Sequence, residues 1–411
     1  MNHRNHKIIG LKCLMTFFLI PFLSCSASSQ HDETTVEGES LVFEFLPTPA
    51  GENSSLPDLF VDAAGRLLMS WVEQDDKISS LFYSTYINNQ WTDPVQISKG
   101  SDWFVNWADF PAIASTGNGQ ILTHFLAKSA PDTYAYNVNL VISSDYGETW
   151  GEPFVLHKDN TQTEHGFVTM LAMPDDNFFI TWLDGRNTGS KEGTMTIRSG
   201  TVDKSGNILE SDELDEKVCD CCQTGAALTD NGPVVVYRDR SEEEIRDMSI
   251  VRLVNGEWTS PQTIHADGWK IAGCPVNGPK VDALGNSVAV AWYTGANQDP
   301  KVNIVFSNDG GETFSKPIRV DDGATIGRID LVMVSQDEAW VTWLESGENG
   351  TEIRARSIKS NGKAGPSVKV ASTRKSRSSG FPQLVMFNDN LMVAFTDLMD
   401  KPQVKLGLIK I

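Results

Sequence analysis

The chain repeats one pattern of apolar and polar positions about every fifty residues. Each unit has a short apolar strand, a tight turn and a second apolar strand that ends on an aromatic residue. Successive closing aromatics lie 51 to 57 positions apart, and they are Trp71, Phe125, Trp182, Tyr237, Trp292, Trp343 and Phe395. Since each unit has room for four short strands, the pattern predicts an all-β fold, a β-propeller of seven blades. A six-bladed ring, with one unit misread, is the alternative.

The last unit is one strand short. After Phe395 there is room for a single further strand, from Gln403 to Ile409. The apolar segment from Ser40 to Leu46, ahead of the first unit, can supply the missing outer strand. Pairing of that N-terminal strand with the last blade would close the ring and remove an exposed sheet edge. We therefore assign residues 40–411 to the propeller.

Composition narrows the choice of partners. The 411 residues carry a formal net charge of −20, and the pI is near 4.7. Binding to nucleic acid requires a basic face for the phosphates, so this balance argues against a nucleic-acid partner.

The N-terminal sequence has the features of an export signal. A basic start is followed by an apolar run, Leu14 to Leu23, that is too short to span a bilayer comfortably, and we assign residues 1–24 to a signal peptide. The sequence Phe22-Leu23-Ser24-Cys25 resembles the lipobox of bacterial lipoproteins. That resemblance implies that Cys25 carries lipid, that residues 25–39 form a lipidated linker, and that the protein is anchored at the outer membrane or cell surface. Ordinary cleavage nearby, with Cys25 incidental, is the alternative.

Two segments carry a specific turn signature. Ser143 to Trp150 reads Ser-Ser-Asp-Tyr-Gly-Glu-Thr-Trp, and Ser307 to Phe314 reads Ser-Asn-Asp-Gly-Gly-Glu-Thr-Phe. Both resemble the Asp-boxes of sialidases and related BNR-repeat propellers, which lie between the third and fourth strands of a blade. The resemblance implies a sialidase-like propeller and makes glycoside hydrolysis one hypothesis. The Arg-Ile-Pro motif that opens true sialidases is not found here, so the sequence leaves catalytic activity open.

Propeller geometry predicts which side chains share the working face. Loops that enter first strands and loops that leave second strands meet on that face. The carboxylates there that could serve as paired glycosidase acids are Asp109, Asp184, Asp239 and Glu244. The side chains there that could bind a carboxylate or stack on a sugar are Arg186, Arg238, Arg240, Arg246, Arg328, Trp107 and Trp269. The alternative is that the arginines only pair with carboxylates and join neighbouring blades.

Four cysteines and one histidine are also predicted to approach the axis on this face. They are Cys219, Cys221, Cys222, Cys274 and His165. An exported protein can form disulfides, and Cys222–Cys274 with Cys219–Cys221 is the favoured pairing. The alternative is a soft-metal site for copper or zinc. With either chemistry, Cys274 is expected to contact the loop of the other three cysteines.

Three functional hypotheses follow from the sequence. The first is a sialidase-like propeller that acts on glycans, such as an exo-glycosidase. The second is a non-catalytic surface lipoprotein that binds a glycan or another anionic ligand through arginine and tryptophan side chains. The third is a metal or redox site built from the cysteines and histidine. A propeller fold by itself is compatible with all three.

Overall fold

The computed structural model describes residues 41–347 and 350–411. The predicted signal peptide, the predicted linker and the candidate lipidation site Cys25 lie outside the described residues. In the described part of the chain, no helix is both long and apolar enough to cross a membrane.

Seven antiparallel sheets form the seven blades of a β-propeller, which confirms the predicted fold class. The first strand in the chain, β1 (Phe43–Leu46), belongs to the seventh blade. The first blade contains β2 (Ser54–Val61), β3 (Leu67–Asp75), β4 (Ile78–Ile87), β5 (Gln90–Trp91) and β6 (Val95–Gly100). The second contains β7 (Ile113–Ser115), β8 (Ile121–Lys128), β9 (Tyr136–Ser143) and β10 (Phe154–Val155). The third contains β11 (His165–Ala172), β12 (Phe178–Asp184), β13 (Thr196–Val202) and β14 (Ile208–Asp215).

The remaining four blades follow the same order from the inside outwards. The fourth blade contains β15 (Gly225–Thr229), β16 (Gly232–Arg238), β17 (Met248–Val254), β18 (Glu257–Trp258) and β19 (Gln262–His265), and the fifth contains β20 (Lys280–Leu284), β21 (Ser287–Thr294), β22 (Lys301–Ser307) and β23 (Ile318–Arg319). The sixth contains β24 (Thr325–Ser335), β25 (Glu338–Gly347), β26 (Gly350–Lys359) and β27 (Val368–Thr373). The seventh contains β28 (Gln383–Phe387), β29 (Asn390–Asp397) and β30 (Gln403–Lys410) together with β1. Two 3-10 turns lie at Ala296–Gln298 and Arg377–Ser379.

The N-terminal strand closes the ring, as predicted. Strand β1 pairs antiparallel with β30, with Phe43 opposite Ile409 and Leu46 opposite Leu406. It starts at Phe43, three residues later than the sequence pattern suggested. The seventh blade therefore has four strands, and β30 is paired on both sides.

Neighbouring blades pack apolar faces against each other, and the closing aromatics of the repeat fill these interfaces. All seven are at most 5% exposed. In the cluster between the fifth and sixth blades, for example, Trp343 packs with Val302 and Ile304. Large aromatic side chains contribute most of the buried area in such cores. The aromatic spacing read from the sequence thus corresponds to the core of the ring.

Three of these tryptophans share a further local pattern at the end of the second strand. The indole N–H of Trp182 donates to Asp184, two residues further on, at 2.8 Å. The indole of Trp71 donates to Glu73 in the same way at 2.8 Å, and that of Trp343 to Glu345. An acidic residue two positions after the tryptophan is therefore a structural feature of the repeat, because a buried indole N–H requires an acceptor.

The two Asp-box turns lie between the third and fourth strands of the second and fifth blades, as expected. In the first, the Asp145 carboxylate accepts hydrogen bonds from the Thr149 amide at 2.9 Å and the Ser143 hydroxyl at 2.8 Å. Asp309 makes the equivalent bonds in the second. Because all partners lie within four residues, the turn is fixed by local sequence.

A left-handed residue recurs where first strands begin. Leu56, Phe167, Val276 and Arg328 all have φ between 48° and 57°, a conformation that costs a non-glycine residue about 1–3 kcal/mol. Phe167 and Val276 line one cavity beside Trp107, Leu56 lines a second, and the guanidinium of Arg328 stacks on the Trp107 ring. The strained positions therefore set the walls of the cavities at this end of the ring.

Candidate functional site

A cavity of about 300 Å³ lies where the loops entering the first strands of five blades converge. We call it the central cavity. Its walls are formed by Asn106, Trp107, Ala108, Tyr134, Tyr136, Glu164, Phe167, Asp220, Cys221, Cys274, Val276 and Arg377. It therefore holds one cationic, two acidic, two phenolic and two thiol side chains, together with an indole that can contact a sugar face.

A tyrosine and two carboxyl groups form a hydrogen-bonded network at one side of this cavity. Tyr136 opens β9, and its hydroxyl lies 2.6 Å from Glu164 Oε1 and 3.3 Å from Asp109 Oδ2. The Tyr136 ring is fully buried and stacks on Phe104 with the ring centroids 4.2 Å apart. The network is thus held by packing as well as by hydrogen bonds.

Burial shifts every acid in the network towards its protonated form. Burial, with a smaller contribution from the Asp220 carboxyl, raises the pKa of Glu164 to about 7, although the hydrogen bond from Tyr136 acts in the opposite direction. Burial, and then the charge of Glu164, raise the pKa of Asp109 to about 8. Burial and the two carboxyls also raise the pKa of Tyr136. The two carboxyl groups therefore titrate near neutral pH, which suits them to proton transfer at physiological pH, whereas the Tyr136 hydroxyl keeps its proton there.

Two arginines near this cavity lack a carboxylate partner among the described residues. Arg377 is exposed, lines the central cavity and forms no ion pair within the described chain. Arg328 is 8% exposed, donates to the Ser376 carbonyl and the Ser379 hydroxyl at 2.7 Å each, and lies over the Trp107 ring at 4.6 Å. Burial, and then repulsion from Arg377, lower the pKa of Arg328 to about 10. This corner of an acidic protein is thus locally electropositive.

Of the four carboxylates nominated from the sequence, Asp109 and Asp184 are both buried. Asp109 Oδ1 accepts the Phe167 amide of the next blade at 2.7 Å, so it joins two blades and reaches the central cavity only through Tyr136. Asp184 is the acceptor of the Trp182 indole and forms two hydrogen bonds with Arg186, both at 2.7 Å. Its position in the tryptophan–acid pattern of the repeat explains its presence, and it does not line the central cavity.

The other two nominated carboxylates are engaged in the fourth blade. Glu244 forms ion pairs with Arg240 at 2.7 Å and Arg246 at 2.8 Å, and these two partners lower its pKa to about 2. Asp239 accepts the Arg240 amide at 2.6 Å and the Ser249 hydroxyl at 3.1 Å. Neither lines the central cavity. The two are therefore not placed as a catalytic pair there, and they organise the loop that leaves β16.

Several of the nominated ligand-binding side chains also have internal partners. Arg186 is paired with Asp184 and lines a separate cavity of about 350 Å³ beside the outer strand β14. Arg238 donates to three backbone carbonyls, those of Arg246 in the fourth blade, Asn277 between the blades and Tyr293 in β21 of the fifth blade. Its guanidinium lies 4.8 Å from the centre of the Trp269 ring. Trp269 is only 9% exposed. Arg186 therefore does not reach the central cavity, and Arg238 joins blades.

The cysteines converge as expected, but they form no disulfide in this structure. All four thiols are unpaired within the described chain, and Cys219 Sγ lies 3.5 Å from Cys222 Sγ and 3.9 Å from Cys221 Sγ, well beyond the 2.05 Å or so of a disulfide bond. A hydrogen bond with Cys221 lowers the pKa of Cys274. Cys274 and Cys221 line the same cavity, so Cys274 lies near the loop as expected, but it is not among the three sulfurs that lie within 4.8 Å of one another, and the favoured disulfide pairing is absent.

His165 does not join the cysteines. Its Nε2 lies 3.2 Å from Asp159 and 3.6 Å from Asp184, and its ring stacks on His157 with centroids 3.6 Å apart. The bulge after Gly166 changes the strand register with β12, so the direction of this side chain could not be read from simple alternation. The histidine therefore belongs to a separate buried group in the third blade.

Among the residues of the central cavity that the sequence analysis did not select, those with ionisable side chains in the proposed site are Tyr136, Glu164, Asp220 and Arg377. Glu164 directly precedes the nominated His165, and Arg377 lies in the loop that enters the seventh blade. Tyr136 opens a third strand, and the loop leaving a second strand ends where the third begins. The same topological rule, extended by one strand, would have included it.

No protein-family model matches this sequence, and no curated protein matches it significantly. Among solved structures, a PL25 ulvan lyase bound to -[GlcA(1-4)Rha3S]- is 11% identical with a TM-score of 0.57, covering 89% of this chain and 96% of that one. The polysaccharide lyase Uly1 is 10% identical with a TM-score of 0.53, covering 92% and 94%. The Hadza microbial sialidase Hz136 is 15% identical with a TM-score of 0.44, covering 71% of this chain, and the chain spans 63% of that sialidase. The likeness to the two lyase structures agrees with the propeller fold.

Proposed function

We propose that the central cavity binds a carboxylate-bearing sugar unit and that Tyr136 and Glu164 act on it. The observation that carries the proposal is the meeting of the Tyr136–Glu164 hydrogen bond, at 2.6 Å, with the guanidinium of Arg377 in one cavity. A guanidinium without an internal partner is suited to a carboxylate, which it can bind through two parallel hydrogen bonds. The sugar-acting enzymes among the solved structures of similar fold support the same class of ligand.

The proposed chemistry is hydrolysis of a glycosidic bond with a tyrosine as nucleophile, as occurs in some glycosidases. Glu164, as carboxylate, takes the phenolic proton while the Tyr136 oxygen attacks the anomeric carbon. The bond to the leaving oxygen breaks, and that oxygen receives a proton from Asp220, a cavity-lining acid whose pKa is raised by burial. Water then attacks the anomeric carbon and gives a proton to the Asp220 carboxylate, the bond between that carbon and the Tyr136 oxygen breaks, and Glu164 returns the proton to the phenol oxygen.

Binding without turnover is the second candidate. It is favoured by the complete burial of the Tyr136 ring and by the engagement of its hydroxyl with two carboxyls. In that case the electropositive corner of Arg377, Arg328 and Trp107 would hold the ligand and no bond would be cleaved. The ligand class is the same in both candidates.

We also propose, from the sequence, that the chain is exported and anchored through a lipid on Cys25 at the outer membrane or cell surface of a bacterium. An anchored propeller of this kind would meet glycans outside the cell. The proposal rests on the lipobox-like segment that ends at Cys25.

The test is a screen of the full-length protein against sugars that end in sialic, glucuronic or galacturonic acid, with neutral sugars of the same length. We expect cleavage of a carboxylate-bearing glycan, and loss of about 10²–10⁴-fold in kcat in Tyr136→Phe and in Glu164→Gln. Tyr134→Phe is the matched control, because Tyr134 lines the same cavity but is 61% exposed.

The three possible results of this screen are distinct. Cleavage that depends on Tyr136 and Glu164 but not on Tyr134 supports the hydrolase. Binding of acidic glycans without cleavage supports the binding protein. Absence of any preference for acidic over neutral glycans contradicts the proposed ligand class.

A further inference from the structure

The loops that enter the fourth and fifth blades bring four thiols together beside the central cavity. Cys219, Cys221 and Cys222 lie between β14 and β15, and Cys274 lies between β19 and β20. Cys219 and Cys222 are 1% and 2% exposed, whereas Cys274 is exposed and lines the central cavity with Cys221. The proposed glycan chemistry uses none of these side chains.

The spacing of the sulfurs matches that of metal ligands. The Sγ atoms of Cys219, Cys221 and Cys222 all lie within 4.8 Å of one another, with two of the separations at 3.5 and 3.9 Å. In a tetrahedral site with metal–sulfur bonds of about 2.3 Å, neighbouring sulfurs are about 3.8 Å apart. The two separations from Cys219 are therefore close to the edge length of such a tetrahedron, and the third is below 4.8 Å.

The backbone holds the first of these ligands in place. The Cys219 amide donates to the Arg238 carbonyl at 3.0 Å, and Val218 forms a bridge with Asp239, so the loop is tied to the end of β16. Cys274, in contrast, enters from the next blade and lines the central cavity with Cys221; it lies outside the group of three sulfurs, so it would have to move closer to complete the site. A shared ion would thus join two blades at the rim of the cavity.

The surrounding charges suit an anionic metal–thiolate group. Arg246 donates to Cys219 Sγ at 3.2 Å, and the guanidinium of Arg238 lies close enough to stabilise a charge on the same sulfur. A divalent ion bound by four thiolates has a net charge of −2, which two guanidinium groups balance. The negative charge of Asp220 would repel an anionic metal–thiolate group, but Asp220 is itself paired with Arg240 at 3.2 Å.

We propose that Cys219, Cys221, Cys222 and Cys274 bind a single soft metal ion, zinc(II) or copper(I), as thiolates. Thiolate-only sites select these ions over magnesium, calcium or manganese. The ion would fix the loops that carry Cys221 and Cys274 in the wall of the central cavity, and it would stabilise the fold without taking part in sugar chemistry.

The test is metal analysis of the full-length protein purified under reducing, oxygen-free conditions, followed by titration with zinc(II) or copper(I) against a chromophoric chelator. We expect one ion per chain and protection of the four thiols from a thiol reagent. Cys222→Ser should abolish tight binding, and Asp220→Asn, a substitution in the same loop that removes no thiol, should retain it. Cys274→Ser, at an exposed position, tests the site even if the buried substitution prevents folding.

Several results would overturn the proposal. One is a folded protein whose four thiols react freely in the presence of excess zinc(II) and copper(I). Another is a disulfide between Cys222 and Cys274 found by peptide mapping of the native protein. Metal binding that survives both cysteine substitutions would place the ion elsewhere. Because the readouts are metal content and thiol protection, none of these outcomes depends on whether a glycan is bound or cleaved.

Discussion

Arg377 gives the most direct test of the proposed ligand class. Its guanidinium is exposed at the central cavity and forms no ion pair within the described part of the chain. Replacement by methionine keeps a flexible side chain of similar length and removes the charge. Since no internal partner is lost, the fold should be unaffected, with a thermal midpoint within about 1 °C of that of the parent protein.

The expected loss of binding affinity follows from the hydrogen bond that the substitution removes. A hydrogen bond between a guanidinium and a carboxylate contributes about 1.5–3 kcal/mol. At about 1.4 kcal/mol per factor of ten, Arg377→Met should weaken binding of an acidic sugar by about 10- to 150-fold. Binding of the corresponding neutral sugar should change by less than about threefold, because its contacts do not depend on that charge.

Isothermal titration calorimetry with an acidic oligosaccharide found in the screen, and with its neutral counterpart, measures both quantities. Arg374→Met is the matched control, since Arg374 is exposed in the same loop, donates to the Met399 carbonyl at 2.9 Å and does not line the central cavity. The difference between wild type and Arg377→Met should also decrease at high salt. Two results would refute the role given to Arg377. One is an equal affinity of Arg377→Met and Arg374→Met for the acidic sugar, and the other is an equal loss of affinity for acidic and neutral sugars in Arg377→Met.

Three further predictions concern pH, stability and anchoring. The pKa of Asp109 is about 8 in the fold against an ordinary 3.8, so unfolding between these pH values releases a proton. The free energy of unfolding should therefore fall as pH rises from about 4 to 8, by at most about 1.4 kcal/mol per pH unit. Asp109→Asn should flatten this dependence in urea unfolding, and an unchanged slope would mean that the Asp109 carboxyl is ionised in the fold. Arg238→Met should cost about 2–4 kcal/mol of unfolding free energy because three carbonyls lose their donor. Arg240→Met, which removes two partly exposed ion pairs, should cost no more than about 1 kcal/mol, and similar values for the two variants would contradict the role of Arg238 in joining blades. Metabolic labelling with a fatty-acid probe should mark the wild type and not Cys25→Ala, and equal labelling would end the lipoprotein hypothesis.

The sequence alone determined the architecture. The spacing of the closing aromatics predicted seven blades, since each aromatic fills the same place between sheets. The Asp-box turns were readable because the partners of Asp145 and Asp309 lie within four residues. Closure of the ring followed from a count of strands. All of these features depend on local patterns or on repetition, both of which a single sequence displays.

The composition of the site was decided only by the tertiary structure. Tyr136 and Glu164 meet across 28 positions and from different blades, and Arg238 finds its carbonyl partners 8, 39 and 55 positions away. The sequence placed His165 with the cysteines because both precede a first strand, but the bulge and the left-handed Phe167 after it alter the alternation that would predict its direction. Whether an arginine on this face is free or paired depends on which loops approach it. Packing between blades decides which loops approach an arginine. The repeat pattern cannot predict this packing, because the pattern is the same in every blade.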